Sequence, residues 1–204
     1  MAHIPDGVLS VPVLTGGAVL AVAGLTVALQ RMGEDDIPKV ALLAAAFFSL
    51  SLVAVPVGPS SVHLLLSGLM GLVIGWATVP AVLAGLVLQA VLFSFGGITS
   101  LGINVVNIAA PGLALGLACR GAIAAARPAR AGVLGALCGA GAVAGTTALV
   151  ALSLILSGSE FIPSAAVILV TALPLMLVEG AVTGFAVAFL KTARPEMFAL
   201  GSRP

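Results

Sequence analysis

The chain carries two histidines, His3 and His63, and the first lies close enough to the amino end to act together with the backbone. A terminal amine, the intervening deprotonated amide nitrogens and an imidazole close fused chelate rings around one metal ion, with every donor near one plane. Square-planar nitrogen coordination is the geometry of Ni(II) and Cu(II), and imidazole suits both; Co(II) accepts the same donors. The donor count turns on Met1. Retained, Met1-Ala2-His3 supplies an amine, two amides and an imidazole, which fills a square and leaves His63 without a role. Removed, as the small Ala2 favours, the start Ala2-His3 supplies one amine, one amide and one imidazole and leaves a fourth position for His63. The processed form accounts for both histidines with a single site built from Ala2, His3 and His63, and it is the favoured reading. Taken singly, His3 also reads as a solvated terminal residue, and His63 as a polar residue at the start of a helix.

Neighbouring polar residues add to the case. Asp6 can accept the second N–H of an imidazole, as outer-shell carboxylates do at metal sites, or it can cap a helix. Ser60 and Ser61, which lead into His63, are further candidate residues of the pocket around the metal. The segment 96–104, Gly96-Gly97-Ile98-Thr99-Ser100-Leu101-Gly102-Ile103-Asn104, is a glycine-rich polar loop whose backbone can run close to a ligand, with Thr99, Ser100 and Asn104 as candidate pocket residues. The alternative is a turn whose polar groups are satisfied locally.

The elements that must position these groups are membrane helices. Of 204 residues, 61% are hydrophobic and 7% charged, against roughly 25% charged in an ordinary soluble domain, and the mean hydropathy is +1.29. A bilayer core about 30 Å thick takes about 20 apolar residues per helix. Apolar runs punctuated by Gly, Pro and charges give spans near 9–30, 40–57, 63–76, 78–95, 104–125, 131–157 and 165–190. The expectation is an all-α polytopic membrane protein of about seven transmembrane helices, one domain over 1–204, with 1–8 as a metal-binding amino-terminal segment and 96–104 as an outer polar loop. A merger of the third and fourth spans, split only near Gly75-Trp76-Ala77 and Pro80, would leave six.

Charge supplies orientation. The cations are Arg31, Lys39, Arg120, Arg127, Arg130, Lys191, Arg194 and Arg203. Seven spans put all of them on one face, which the positive-inside rule makes cytoplasmic, so the amino end is expected outside and the carboxyl end inside. Both histidines then share the outer face. The first ten residues lack Lys and Arg and contain Pro5, Asp6 and Gly7, unlike a secretory signal, so the amino end reads as mature apart from Met1. Cys119 and Cys138 fall in apolar runs and read as small hydrophobes. A net charge of +1 without a basic arm removes the case for nucleic acid. Small-residue pairs (Gly71/Gly75, Gly112/Gly116, Gly141/Gly145, Gly180/Gly184) and the stripe Gly17, Ala21, Gly24, Ala28 read as close helix contacts, the stripe equally as a partner-docking face. Glu179, alone in the last span, costs about 2.5–3.5 kcal/mol on insertion scales. It reads as an interior hydrogen-bonding residue, with the polar loop as a candidate partner.

The start His3-Ile4-Pro5-Asp6-Gly7, the turn Ser60-Ser61-Val62-His63 with Ser67-Gly68-Leu69, the run from Gly96 to Asn107, and Glu179-Gly180 together resemble the CbiM/NikM family over nearly the whole chain. Those proteins are the substrate-capture (S) components of energy-coupling factor (ECF) transporters for Co2+ or Ni2+. The resemblance implies a seven-helix component of a prokaryotic plasma membrane, with its amino terminus folded back into the bundle from outside and metal held by the terminal amine, the histidine amide and imidazole, and a second histidine. Matched here, the ligands are Ala2, His3 and His63. Ala2 is a departure, since the family pattern has Met directly followed by His; loss of Met1 restores the spacing. The resemblance further implies a transmembrane coupling (T) protein, cytoplasmic ATPases and a small accessory membrane subunit as partners. The chain has no Walker A pattern, so an expected transport subunit, not an enzyme, relies on separate ATPases and no cofactor of its own. Rival readings are an autonomous secondary permease and a membrane scaffold without a metal site.

Overall fold

The computed structural model describes residues 3–52, 55–57 and 60–198. It is all-helical apart from one small hairpin. Helices α1 (Val11–Arg31), α2 (Ile37–Ser51), α3 (Ser67–Ile74), α4 (Thr78–Phe93), α5 (Leu101–Ala125), α6 (Pro128–Ser157), α7 (Ile162–Thr171) and α8 (Leu173–Ala193) follow one another, with strands β1 (Val55–Val57) and β2 (Ser60–Val62) between α2 and α3. Proline occupies the first turn of α1, α2, α6, α7 and α8, where its missing N–H costs no helical bond.

Among the described residues, five stretches are long and apolar enough by length and composition to cross a bilayer, Val11–Arg31, Ser67–Phe93, Leu101–Ala125, Pro128–Ser157 and Leu173–Ala193, of which Ser67–Phe93 is interrupted at Gly75–Ala77. Their outward faces are apolar too, as at Phe185, which is 77% exposed. Such a surface needs lipid or protein against it.

Three expected spans differ in detail. The second stops at Ser51 rather than 57, because Val55-Pro56-Val57 pairs antiparallel with Ser60–Val62; Pro56 has no N–H to continue a helix, and branched valines favour a strand. The last is broken at Ala172 into α7 and α8, one residue before the Leu173-Pro174 start. The third does not begin at His63: residues 63–66 are non-helical and α3 has only eight residues.

α3 and α4 are nonetheless separate legs. Ser67 lies against Gly112, Gly71 against Gly112 and Gly116, and Gly75 near Leu117 and Arg120, so α3 descends alongside α5. The chain after α4 returns to Gly96, beside Asn104 at the start of α5, so α4 runs the other way. The reversal is made by Gly75 at φ +52°, a left-handed conformation that glycine adopts without Cβ strain. Gly75 therefore serves a turn, not the close helix contact expected from its spacing to Gly71.

The other small residues pack helix on helix. Gly17 meets Ile103, Gly24 faces Val79, and Gly180 and Gly184 seat α8 against Ala136 and Gly132 of α6. Ala28 is buried, so much of the α1 stripe is used within the fold. A Cβ at Gly71 would fall on the main chain of Gly112, which no rotamer change relieves. Gly71→Ala is expected to destabilise by about 1–3 kcal/mol, the usual cost of overpacking, read as a lower melting temperature in detergent; an unchanged melt refutes this packing.

Candidate functional site

The amino-terminal segment before α1 is a built part of the bundle. Ile4 and Leu9 are buried in one cluster with Ile103 of α5 and Val150 and Leu154 of α6; burying one such side chain is worth about 1.5–3 kcal/mol. Asn104 grips the main chain at Ile4 from both sides: the Ile4 N–H donates to Asn104 Oδ1 at 3.0 Å, and Asn104 Nδ2 donates to the Ile4 carbonyl at 3.0 Å. The Ser100 hydroxyl donates to the same carbonyl at 2.6 Å. Farther along, the Ser10 N–H donates to Ser157 Oγ at the end of α6.

Asp6 does not orient an imidazole. Its carboxylate accepts the N–H groups of Ile98, Thr99 and Ser100 at 3.1, 3.0 and 3.1 Å and the Thr99 hydroxyl at 2.5 Å. These amides lie in the turn that leads into α5, next to the positive end of its helix dipole, which favours an anion. The Thr99 hydroxyl foremost, then the loop amides, hold the Asp6 carboxyl below its ordinary value. Gly97 gives the carboxylate room, since a Cβ there would meet Asp6. Thr99, Ser100 and Asn104 thus bind the amino-terminal segment itself. Asn107, one turn on, pairs instead with Ser153 of α6.

With the segment held this way, His3 and His63 stack, ring centroids 4.9 Å apart and planes 14° off parallel. Each residue is only 8% exposed. His63 Nδ1 lies 3.4 Å from the Leu64 carbonyl, while His63 Nε2 and His3 Nδ1 are buried without a hydrogen-bond partner. Gly96, at φ +77°, lets the loop turn close beside His3. Two buried imidazole nitrogens left unpaired on stacked rings are costly for folding alone, and they are well suited to donate to a cation. Among the described residues no group of three or more His, Cys, Asp or Glu gathers at one point, so further donors would come from backbone or terminal nitrogens. Ala2 lies outside the described residues. Ser60 and Ser61 belong to β2, paired opposite Val57 and Pro56.

Burial, and then the charge of the neighbouring His63, push His3 down to about 3, and burial lowers His63 as well. Neutral imidazole is the ligating form. Because the docked state binds fewer protons than the released one, docking is fully supported above the ordinary value of 6.5 and weakens as pH falls from there toward about 3. Hydrogen exchange of metal-free protein should show residues 3–10 losing protection between pH 7 and pH 4, after correction for intrinsic rates; constant protection would contradict the assignment.

Glu179, for which the sequence offered the polar loop 96–104 as a partner, is tied instead to the chain after His63. Its Oε1 accepts the N–H of Leu65, and the carboxylate accepts the N–H of Leu66 at 2.9 and 3.2 Å. The lone carboxylate in an apolar span signalled a buried partner, but nothing in its spacing pointed to Leu65 and Leu66.

The chain is similar to known proteins in sequence and in fold. The family model described as "cobalt uptake substrate-specific transmembrane region" matches residues 3–197. A protein of Sorangium cellulosum named cobalt transport protein CbiM is 36% identical, covering 96% of this chain and 93% of that one. A putative metal transport protein of Haemophilus influenzae is 51% identical over 109 residues, 53% of either chain, so the match spans about half of that relative. A solved transition metal transporter superimposes with a TM-score of 0.74 at 24% identity, covering 94% of this chain and 93% of that one, a likeness of fold. The chain belongs to the CbiM family of cobalt-uptake transmembrane proteins.

Proposed function

We propose that this protein is the substrate-capture component of an ECF-type transporter, taking Co2+ or Ni2+ from the outer face and delivering it for ATP-driven uptake. The stacked, buried His3–His63 pair with two unpartnered nitrogens carries the reading. Beginning at Ala2, the mature chain would add its terminal amine and the His3 amide, giving four nitrogen donors from Ala2, His3 and His63. The relatives lend support in their names: cobalt for the Sorangium protein, and nickel for a fused transport protein of Rhodobacter capsulatus that is 34% identical over 116 residues and matches 54% of this chain and 33% of that one.

The same reading takes the membrane crossing as seven passes with the amino end outside. It is supported by the antiparallel α3 and α4 legs and by the placing of cations away from the histidines. Arg31 stacks over Trp76 at 5.0 Å, Arg120 lies by Gly75, and Lys191 donates to the Ala124 carbonyl at the end of α5. Partners on this reading are a transmembrane coupling protein, cytoplasmic ATPases and a small accessory membrane subunit. The test is metal analysis of purified protein together with its intact mass. One Ni2+ or Co2+ per chain and a mass lacking Met1 are expected; a protein that takes up neither ion at micromolar concentration overturns the proposal.

A further inference from the structure

We propose that Glu179 is a positioning residue of the capture site: through Leu65 and Leu66 it sets the backbone from which His63 reaches the metal. This rests on the metal-site reading above.

The residue is 1% exposed on α8, at a depth where a carboxyl group is expensive. What offsets that cost is specific. Its oxygens take the main-chain N–H groups of Leu65 and Leu66, two donors at the start of α3 that no helical carbonyl satisfies. Leu66 adopts a left-handed conformation, φ 52° and ψ 10°, unusual for a branched side chain. The two hydrogen bonds supply a reason for the chain to stay there. Among the described residues, no other side chain from another element bonds the main chain between His63 and Leu66.

The lever is short. Leu65 lies two residues from His63, and the intervening Leu64 carbonyl faces His63 Nδ1. A shift of the main chain at Leu65 therefore moves both the imidazole and the atom that orients it. The anchor is firm on its far side: Gly180, the next residue, packs against the Ala136 carbonyl of α6, and Leu65, Leu66, Met70 and Leu175 share one buried cluster. Asn104 and Asp6 position the His3 half of the site from the loop side, and Glu179 positions the His63 half from below.

The test compares Glu179→Ala, Glu179→Gln and Glu179→Asp in the full-length protein, with Ni2+ as probe. Removing an orienting partner of a ligand typically costs 10–100-fold in metal affinity. Glu179→Ala is expected to bind Ni2+ at least tenfold more weakly and to alter the absorption bands of the bound ion. Glu179→Gln keeps an acceptor oxygen for both amides and should stay within threefold of the parent. Glu179→Asp withdraws the oxygens by one methylene and should fall between them, and it serves as the readout should the alanine variant fail to fold. In a His63→Ala background, Glu179→Ala should have no further effect on affinity, since a positioning residue works only through what it positions. Without metal, exchange of the Leu65 and Leu66 amides should speed up in Glu179→Ala. Parent-like affinity and spectrum in both the alanine and aspartate variants, an additive loss in the His63→Ala background, or unchanged amide exchange each overturns the proposal. A parent protein that binds no Ni2+ overturns the capture reading instead, and the exchange arm still decides whether Glu179 holds the chain after His63.

Discussion

Replacing either His3 or His63 with alanine should cost the protein its metal, lowering affinity for Ni2+ or Co2+ by more than the roughly 10–100-fold typical of losing an orienting neighbour. Each histidine brings an imidazole nitrogen that has no protein partner, so in the loaded protein each would be a direct ligand. The stacking at 4.9 Å means that removing one ring also releases the other from its neighbour. The double variant should therefore bind little more weakly than either single one, as groups acting in one site are not additive. The metal-free fold should survive, because neither unpartnered nitrogen contributes a hydrogen bond to it. A competition titration against a chelator gives the affinities, and a melting curve in detergent gives the control. Retention of parent affinity within threefold by either single variant would remove that histidine from the site.

Asn104→Ala should weaken metal binding by about 10–100-fold without touching a ligand. The side chain holds both main-chain groups of Ile4, the residue next to His3. Ser100 still serves the Ile4 carbonyl in the variant, but the Ile4 N–H loses its acceptor, and an unsatisfied buried donor costs about 1–3 kcal/mol, where each 1.4 kcal/mol is tenfold in affinity. The chemistry can be separated from size. Asn104→Asp keeps the acceptor for the N–H but sets a carboxylate against the Ile4 carbonyl, so it should rescue nothing. Exchange of residues 3–6 should rise in both variants. If Asn104→Asp binds as the parent does, the clamp is not what holds the segment.

Much of the architecture was legible from residue types alone, since an apolar chain in a bilayer can satisfy its backbone polar groups only in helices or a closed barrel, and apolar runs of about 20 residues fit helices. The runs that became α1, α4, α5 and α6 lie within a few residues of their expected bounds. The small-residue positions at Gly71, Gly112, Gly116, Gly180 and Gly184 pack as their spacing implied. Local chemistry redirected others: Pro56 turned a helix end into a hairpin, and Gly75, spaced for packing, was needed where the chain reverses.

At the site, residue types alone supplied the inventory: two imidazoles, the Asp6 carboxylate, a glycine-rich polar loop with Asn104, and Glu179 in an apolar span. They could not determine who partners whom. His3 and His63 are 60 positions apart, Asp6 and Ser100 94, and Leu65 and Glu179 114; such pairings have no local period. Only the tertiary structure decided that Asp6 serves the start of α5 rather than an imidazole, that Asn104 holds Ile4, and that Glu179 meets the chain beside His63. The physical reason is that a buried polar group must find a partner somewhere, which marks the residue in the sequence, while the packing of helices settles which donors lie within reach.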